Sequence, residues 1–217
     1  MLTFDPKTHI YRWENKIVPS VTQVPSRVGV RSNEESPWCS VSGSEFMGNY
    51  ETATRFGTEF HKIPAHIIQG IECKYDPAFQ PWVNGLYKFL EDHNLREVIK
   101  KRHLALYYLV EKPLYSKIYG YAGTLDWFFI LDLELYCLLL DWKTSTKISE
   151  LTRMQTAALE QLIKENYKIG NRLLPRWTVR IFENGYELDK REGRKHKIDF
   201  NRFLSLLNVY KTYSKEK

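Results

Sequence analysis

The chain of 217 residues has few of the features that place a protein at sight. It has only three cysteines, Cys39, Cys73 and Cys137, odd in number, widely spaced and without a C-x-x-C pair. Zinc and iron–sulfur ligation therefore lack support, and reduced, mostly buried thiols are expected. No apolar run approaches the ~20 residues of a membrane span; the longest are strand-length. The opening MLTFDPKTHIYRW has no basic-then-apolar signal pattern, so a cytoplasmic location is expected. Repeats, low-complexity blocks and obvious linkers are absent too, which points to a single domain over 1–217.

What is present suits a soluble globular protein. Hydrophobic residues make up 43% of the chain, enough for a proper core. Lys and Arg outnumber Asp and Glu by 32 to 26, a net charge of +6 that leans towards a polyanionic partner without identifying one.

THIYRWENKIVPSVTQV (8–24) reads as a hairpin, with Ile10 and Arg12 against Lys16 and Val18 about a Glu14-Asn15 turn. Ser20 or Ser26 is placed to cap a short helix. Residues 29–50 read as a loop or short helical lobe. ETATRFGTEFHKIPAHIIQG (51–70) reads as a helix with Phe56, Phe60, Ile63 and Ile67 on one side, kinked at Pro64 and ended by Gly70. A second helix over 78–93 carries Trp82, Leu86, Phe89 and Leu90.

Beyond residue 100 the texture turns to strands: HLALYYLVEKPLY (103–115), YGYAGTLDWFFIL (119–131) and LYCLLLDWKTS (135–145). A helix over 149–170 follows, capped by Ser149 and closed by Gly170. RWTVRIFENGYELDKR (176–191) is a hairpin turning on Asn184-Gly185, and IDFNRFLSLLNVYKTY (198–213) a final amphipathic helix. The order predicts an α/β fold: a mixed central sheet flanked by helices over 101–217, preceded by a hairpin and helical lobe over 1–100.

LLLDWKTS (138–145) is the informative stretch, because a core strand should not end in charges without a reason. With the preceding turn centred on Asp132-Leu133, Asp126 faces Leu139, and Asp126, Asp141 and Lys143 project from one face. Phe128 and Ile130 share that face; Leu125, Trp127, Phe129, Leu138, Leu140 and Trp142 take the other. Asp141 and Lys143 either form a structural ion pair or share chemistry. Two carboxylates beside a lysine can hold Mg²⁺ or Mn²⁺ and act on a phosphodiester. Trp127, Phe128, Phe129 and Trp142 read as core, while Tyr121 and Trp38 are better placed to stack on a base. KREGRKHK (190–197) reads either as a phosphate contact or as a solvated loop.

G-T-L-D (123–126), D-W-K-T-S (141–145) and a glutamine early in the next helix resemble the PD-(D/E)XK nuclease superfamily. The branch they resemble is the RecB-type one, with the mitochondrial genome maintenance exonuclease and many small phage-encoded exonucleases. H-I-Y-R-W-E-N-K-I-V-P-S-V-T (9–22), G-T-E-F-H (57–61) and V-E-K-P-L-Y (110–115) resemble that group's upstream motifs, in its order.

The resemblance implies a restriction-endonuclease-like core and Mg²⁺- or Mn²⁺-dependent hydrolysis of DNA. It implies exonuclease action, most simply on single-stranded ends, in phage or prophage DNA processing or recombination, in a bacterial or phage-infected cell. By the same resemblance, Asp126 and Asp141 are metal ligands, joined by His61 and the Trp142 carbonyl. Lys143 is the catalytic lysine, Gln155 the helix glutamine near metal and DNA, and Glu111 the strand glutamate that orients water or metal. Ser20, Tyr121, Thr144 and Ser145 are phosphate-contact candidates. The family's Q-x-x-x-Y is Q-T-A-A-L here, with Leu159 in place of the tyrosine. No helicase sequence is attached, so unwinding would fall to a helicase or recombination partner. Two rivals stay open: a structure-specific or double-strand-end nuclease of the same chemistry, and a non-cleaving nucleic-acid-binding relative.

Overall fold

The computed structural model describes residues 1–6, 8–27, 43–131, 136–170 and 172–214. Leu2–Asp5 (β1), Ile10–Trp13 (β2) and Lys16–Val18 (β3) form an antiparallel sheet in that order. Glu14 and Asn15 both take left-handed backbone, φ 49 and 65, as a two-residue hairpin matched to strand twist requires. β1 carries no sequence signal of its own, since four residues are too few to establish an alternation. Ser20 Oγ then accepts the Gln23 N–H at 3.0 Å and caps the short helix Gln23–Arg27 (α1).

Gly43–Gln69 (α2) starts well before residue 51 and ends at Gly70, whose φ is 71. Of the stretch 29–50, which reads as a loop or short helical lobe, residues 43–50 are helix; residues 28–42, with Trp38 and Cys39, lie outside the described residues. A single 3₁₀ turn, Pro77–Phe79, leads into Gln80–Asp92 (α3), and Asn94, at φ 54, redirects the chain into Leu95–Lys100 (α4). The sequence pattern does not announce α4, which is less than two turns long.

Ala105–Ser116 (β4), Tyr121–Leu131 (β5), Tyr136–Lys143 (β6), Arg176–Phe182 (β7) and Gly185–Arg191 (β8) form the central sheet in the order β4-β5-β6-β7-β8. Only β6 and β7 run parallel. That pair needs a crossover, which Glu150–Asn166 (α5) supplies from its Ser149 cap. His196–Ser214 (α6) closes the fold. α5 stops at Asn166, short of Gly170, because Tyr167 is already extended at φ −129 and ψ 145. The β7–β8 turn is Glu183-Asn184, one residue earlier than expected: Asn184 is the left-handed residue, φ 55, and Gly185 pairs with Phe182.

The β5–β6 register also differs from expectation. Leu139 pairs with Phe128 and not Asp126. The slip is two residues, which moves the turn but preserves which side chains share a face; residues 132–135 themselves lie outside the described residues.

Helices cover both faces of the sheet. Phe128, Ile130 and Leu139 pack with Leu159, Leu162 and Phe203 of α5 and α6. Trp127, Phe129, Leu140 and Trp142 pack with Phe60 and Ile63 of α2 and with Leu86 and Phe89 of α3. The small sheet is tied on by Tyr11 and Val18 against Ala122 and by Trp13 stacked on Tyr115 at 4.5 Å. Cys73 and Cys137 are free thiols. Among the described residues no helix is long and apolar enough to cross a membrane.

Candidate active site

Three neighbouring strands bring three acids to one level. Val110 pairs with Trp127 and Lys112 with Leu125, which sets Glu111 of β4 level with Asp126 of β5. The β5–β6 ladder ends at Trp127 against Leu140, one step short of Asp126 and Asp141. At this level the strand alternation slips. Leu125 packs in the same apolar cluster as Phe128, and Leu114 as Leu109, although odd separations belong on opposite faces of a regular strand. Leu125 therefore does not face away from Phe128 as a regular strand would have it. Glu111 sits at the slip with a φ of 47, a conformation rare for a non-glycine residue and found where a side chain is re-aimed.

Beyond the slip β5 exchanges its neighbour on one edge. Ala122 donates its N–H to the Pro19 carbonyl and accepts from the Val21 N–H, each at 2.9 Å. The N-terminal segment thus takes up β5 where β6 has left it. Asp126 lies between these two pairings, and its Oδ2 accepts the Trp142 N–H at 2.7 Å. Lys143 Nζ lies 2.7 Å from Asp141 Oδ2, and His61 Nδ1 of α2 lies 3.7 Å from Asp126 Oδ2. α2 comes this close because Gly57 has no side chain: a Cβ there would lie 3.1 Å from Thr144 Oγ1.

The electrostatics follow from burial. Desolvation raises the Glu111 carboxyl to about 8, with help from Asp126 and Asp141. Asp126 and Asp141 also rise through burial, although Lys143 pulls both down. Burial would lower Lys143, but Asp141 and Asp126 outweigh it and hold the ammonium above its ordinary value. His61 falls to about 4 through burial and the Lys143 charge, so its ring is neutral and its lone pair available.

His61, Glu111 and Asp126 each offer one potential ligand atom, and these atoms all lie within 4.8 Å of one another. Carboxylate oxygens are donors for Mg²⁺ or Mn²⁺, a neutral imidazole in the set favours the transition ion Mn²⁺ over Mg²⁺, and protonation-prone buried acids are the state such an ion relieves. This grouping differs from the expected set of His61, Asp126, Asp141 and Trp142. Glu111 stands closer to it than expected, the Asp141 carboxylate is turned to Lys143, and Trp142 contributes its N–H to Asp126 while its ring lies in the core.

The group opens into a cleft of ≈ 430 Å³, which Gln155 of α5 also lines. One wall is the α2 face of Thr58, His61, Lys62, Ala65 and Gln69; another is Phe4, Pro6, His9 and Tyr11 of the small sheet. Leu159 lines it one turn beyond Gln155. Of the phosphate-contact candidates, Ser145 is exposed with its hydroxyl donating to the Lys147 carbonyl at 3.0 Å, and Thr144 is half-buried near Gly57; neither lines the cleft. Ser20 is 3% exposed and spent on its cap, and Tyr121 is fully buried with its hydroxyl donating to the Ala158 carbonyl. Neither reaches a phosphate. KREGRKHK is in part structural, since Arg191 pairs with Asp199 and His196 with Glu160.

The lining residues Phe4, His9 and Tyr11 carry a signal that was there to be used. His9 and Tyr11 sit two apart leading into a strand, and Tyr11 is hydrogen-bonded to Thr124 Oγ1 at 2.7 Å, two residues before Asp126. No protein-family model and no curated protein matches the chain.

Proposed function

We propose that this protein is a divalent-metal-dependent deoxyribonuclease of the PD-(D/E)XK type, an exonuclease acting on single-stranded DNA ends in phage-type DNA processing or recombination. The observation that carries the reading is the convergence of Glu111, Asp126 and Asp141, from three adjacent strands, on one cleft with Lys143 and His61. Glu111, Asp126 and His61 would hold the cation, while Asp141 stays on Lys143. When bound, the ion supplies positive charge to a phosphodiester and lowers the pKa of water.

The side chains do the rest. Lys143, kept as an ammonium, donates to a phosphate oxygen or to the attacking water and offsets the charge that develops on the phosphorane. Gln155 offers an amide to the same substrate region. Asp141 orients Lys143 through their 2.7 Å contact.

The test is incubation of the purified protein with end-labelled single- and double-stranded DNA in Mg²⁺, Mn²⁺ or EDTA, beside Lys143→Ala and Asp126→Asn. Metal-dependent laddering from one end of the single strand, lost in both variants, is the expected result. Internal cuts would replace exonuclease by endonuclease action. Salt-sensitive DNA binding without cleavage would overturn the enzymatic reading in favour of a binding protein.

A further inference from the structure

The cleft wall formed by the N-terminal sheet has a chemistry different from the charged floor. Phe4 of β1 stacks on Tyr11 of β2 with ring centroids 4.5 Å apart and planes at 23°. His9 and Phe4 meet in a T-shaped arrangement, ring centroids 5.9 Å apart and planes at 64°. Tyr11 is buried and anchored to Thr124 on β5, so the stack is fixed to the strand that carries Asp126. Phe4 is half-buried and His9 exposed, and both line the cleft with Pro6.

Asp5 pairs with Ile10 across the β1–β2 connection, and Thr8 Oγ1 donates to Asp5 Oδ2 at 2.6 Å within it. His9 takes a left-handed backbone, φ 51, which for a residue other than glycine marks a position fixed by its surroundings. An acidic, cation-ready floor recognises a phosphate and nothing of the base beside it. A rigid aromatic pair above that floor supplies what is missing, because every nucleobase has a π-face and stacking does not depend on its identity. A base inside a duplex has both faces occupied and a terminal pair offers only its outer face, whereas an unpaired base can swing out of the stack to lie on the platform.

We propose that Phe4 and His9 form a base-stacking platform that receives the unpaired nucleobase next to the scissile phosphate and so selects single-stranded over paired ends. The proposal rests on the nuclease reading for its scissile phosphate, but the platform itself is a binding feature that can be measured without cleavage.

Two readouts separate them. In the first, the protein with Mn²⁺ cuts a single-stranded oligonucleotide carrying either thymine or an abasic residue at its end. The thymine strand should be cut roughly tenfold faster, the order that one stacked base contributes. His9→Ala and Phe4→Leu should shrink that ratio; Phe4→Leu keeps apolar bulk in the sheet, and Phe4→Tyr should restore the ratio. In the second, terminal 2-aminopurine fluorescence is followed on binding in EDTA: wild type should quench it, and the two variants should not.

Cleavage without base discrimination or quenching would overturn the platform and leave the nuclease standing. Quenching lost in the variants, with no strand ever cut, would uphold the platform and overturn the nuclease. Neither cleavage nor quenching would overturn both.

Discussion

Cation binding at His61, Glu111 and Asp126 should be linked to proton release, and the structure sets the pH at which this shows. Glu111 is raised from 4.5 to about 8, so at pH 7 the metal-free carboxyl is about nine-tenths protonated. Each bound ion must displace roughly one proton, and affinity should climb by about tenfold per pH unit below 8 before levelling off. The metal-free protein should respond in the opposite sense. Between pH 6.5 and 8 the folded state holds a Glu111 proton that the unfolded chain has lost, so its stability falls as pH rises. His61, lowered from 6.5 to about 4, adds stability as pH rises, but that contribution is complete by about pH 6.5.

Isothermal titration with Mn²⁺ in buffers of different ionisation enthalpy counts the protons, and thermal denaturation with and without the ion reads the stability. At a hundredfold excess over Kd the ion should stabilise by about 2.7 kcal/mol, roughly 5–10 °C in Tm for a chain of this size. Glu111→Gln should remove the pH dependence of affinity and raise metal-free stability more at pH 8 than at pH 6. Affinity that is flat from pH 6.5 to 8.5, or binding without proton release, would refute the reasoning.

Three other perturbations test separate parts of the account. Lys143→Ala should lower DNA cleavage by about a hundred- to a thousandfold while Mn²⁺ still binds, and Lys143→Arg should not restore it, because the fork cannot replace a point charge seated 2.7 Å from Asp141; single-turnover rates decide. Arg176→Met should cost about 1–3 kcal/mol in urea unfolding, since Arg176 is 1% exposed and its loss removes one charged partner each from buried Glu160 and Asp199, which keep Lys164 and Arg191. Gly85→Ala should cost about 1–3 kcal/mol, read as a drop in Tm, because a Cβ there would lie 2.7 Å from the Phe182 carbonyl oxygen, a backbone atom that cannot swing aside.

How far the molecule was legible beforehand depended on how local each signal was. The Glu14-Asn15 turn, the Ser149 cap and the β5 and β6 cores are written in short windows, and the structure has them where the residues place them. The helix end at Asn166 and the turn at Glu183-Asn184 moved because Gly170 and Gly185 sit beside, and not at, the positions their permissive backbones suggested. The convergence of Asp126, Asp141 and Lys143 followed from parity alone and survives the two-residue register slip. Glu111 as the closer partner to His61 did not follow, because the left-handed turn that aims it lies on a strand whose sequence is otherwise regular. The burial of Tyr121 and the aromatic wall of Phe4 and His9 depend on α5 and on the N-terminal sheet docking onto β5, contacts of long sequence separation that no short window encodes.

The fold contains two sets of buried acids, and the contrast between them bears on function more directly than either set alone. Glu160 and Asp199 are 0% and 1% exposed, and burial by itself would raise both. His196 and Lys164 nevertheless hold Glu160 below its ordinary value, and Arg191 and Arg176 do the same for Asp199. In that set each acid has Lys or Arg partners within 3.1 Å, Lys164 and Arg176 for Glu160 and Arg176 and Arg191 for Asp199, as a network retained for stability needs. Glu111, Asp126 and Asp141 are the opposite case. They crowd at one level with Lys143 as the cation nearest Asp141, and all three are pushed above their ordinary values. Ionising them in the folded protein is costly, and ordinary hydrophobic residues at those strand positions would remove the cost. One buried acid cluster thus has its positive charge built in, while the other is short of it beside a neutral His61 and an open cleft, and that contrast is what supports the proposed cation site.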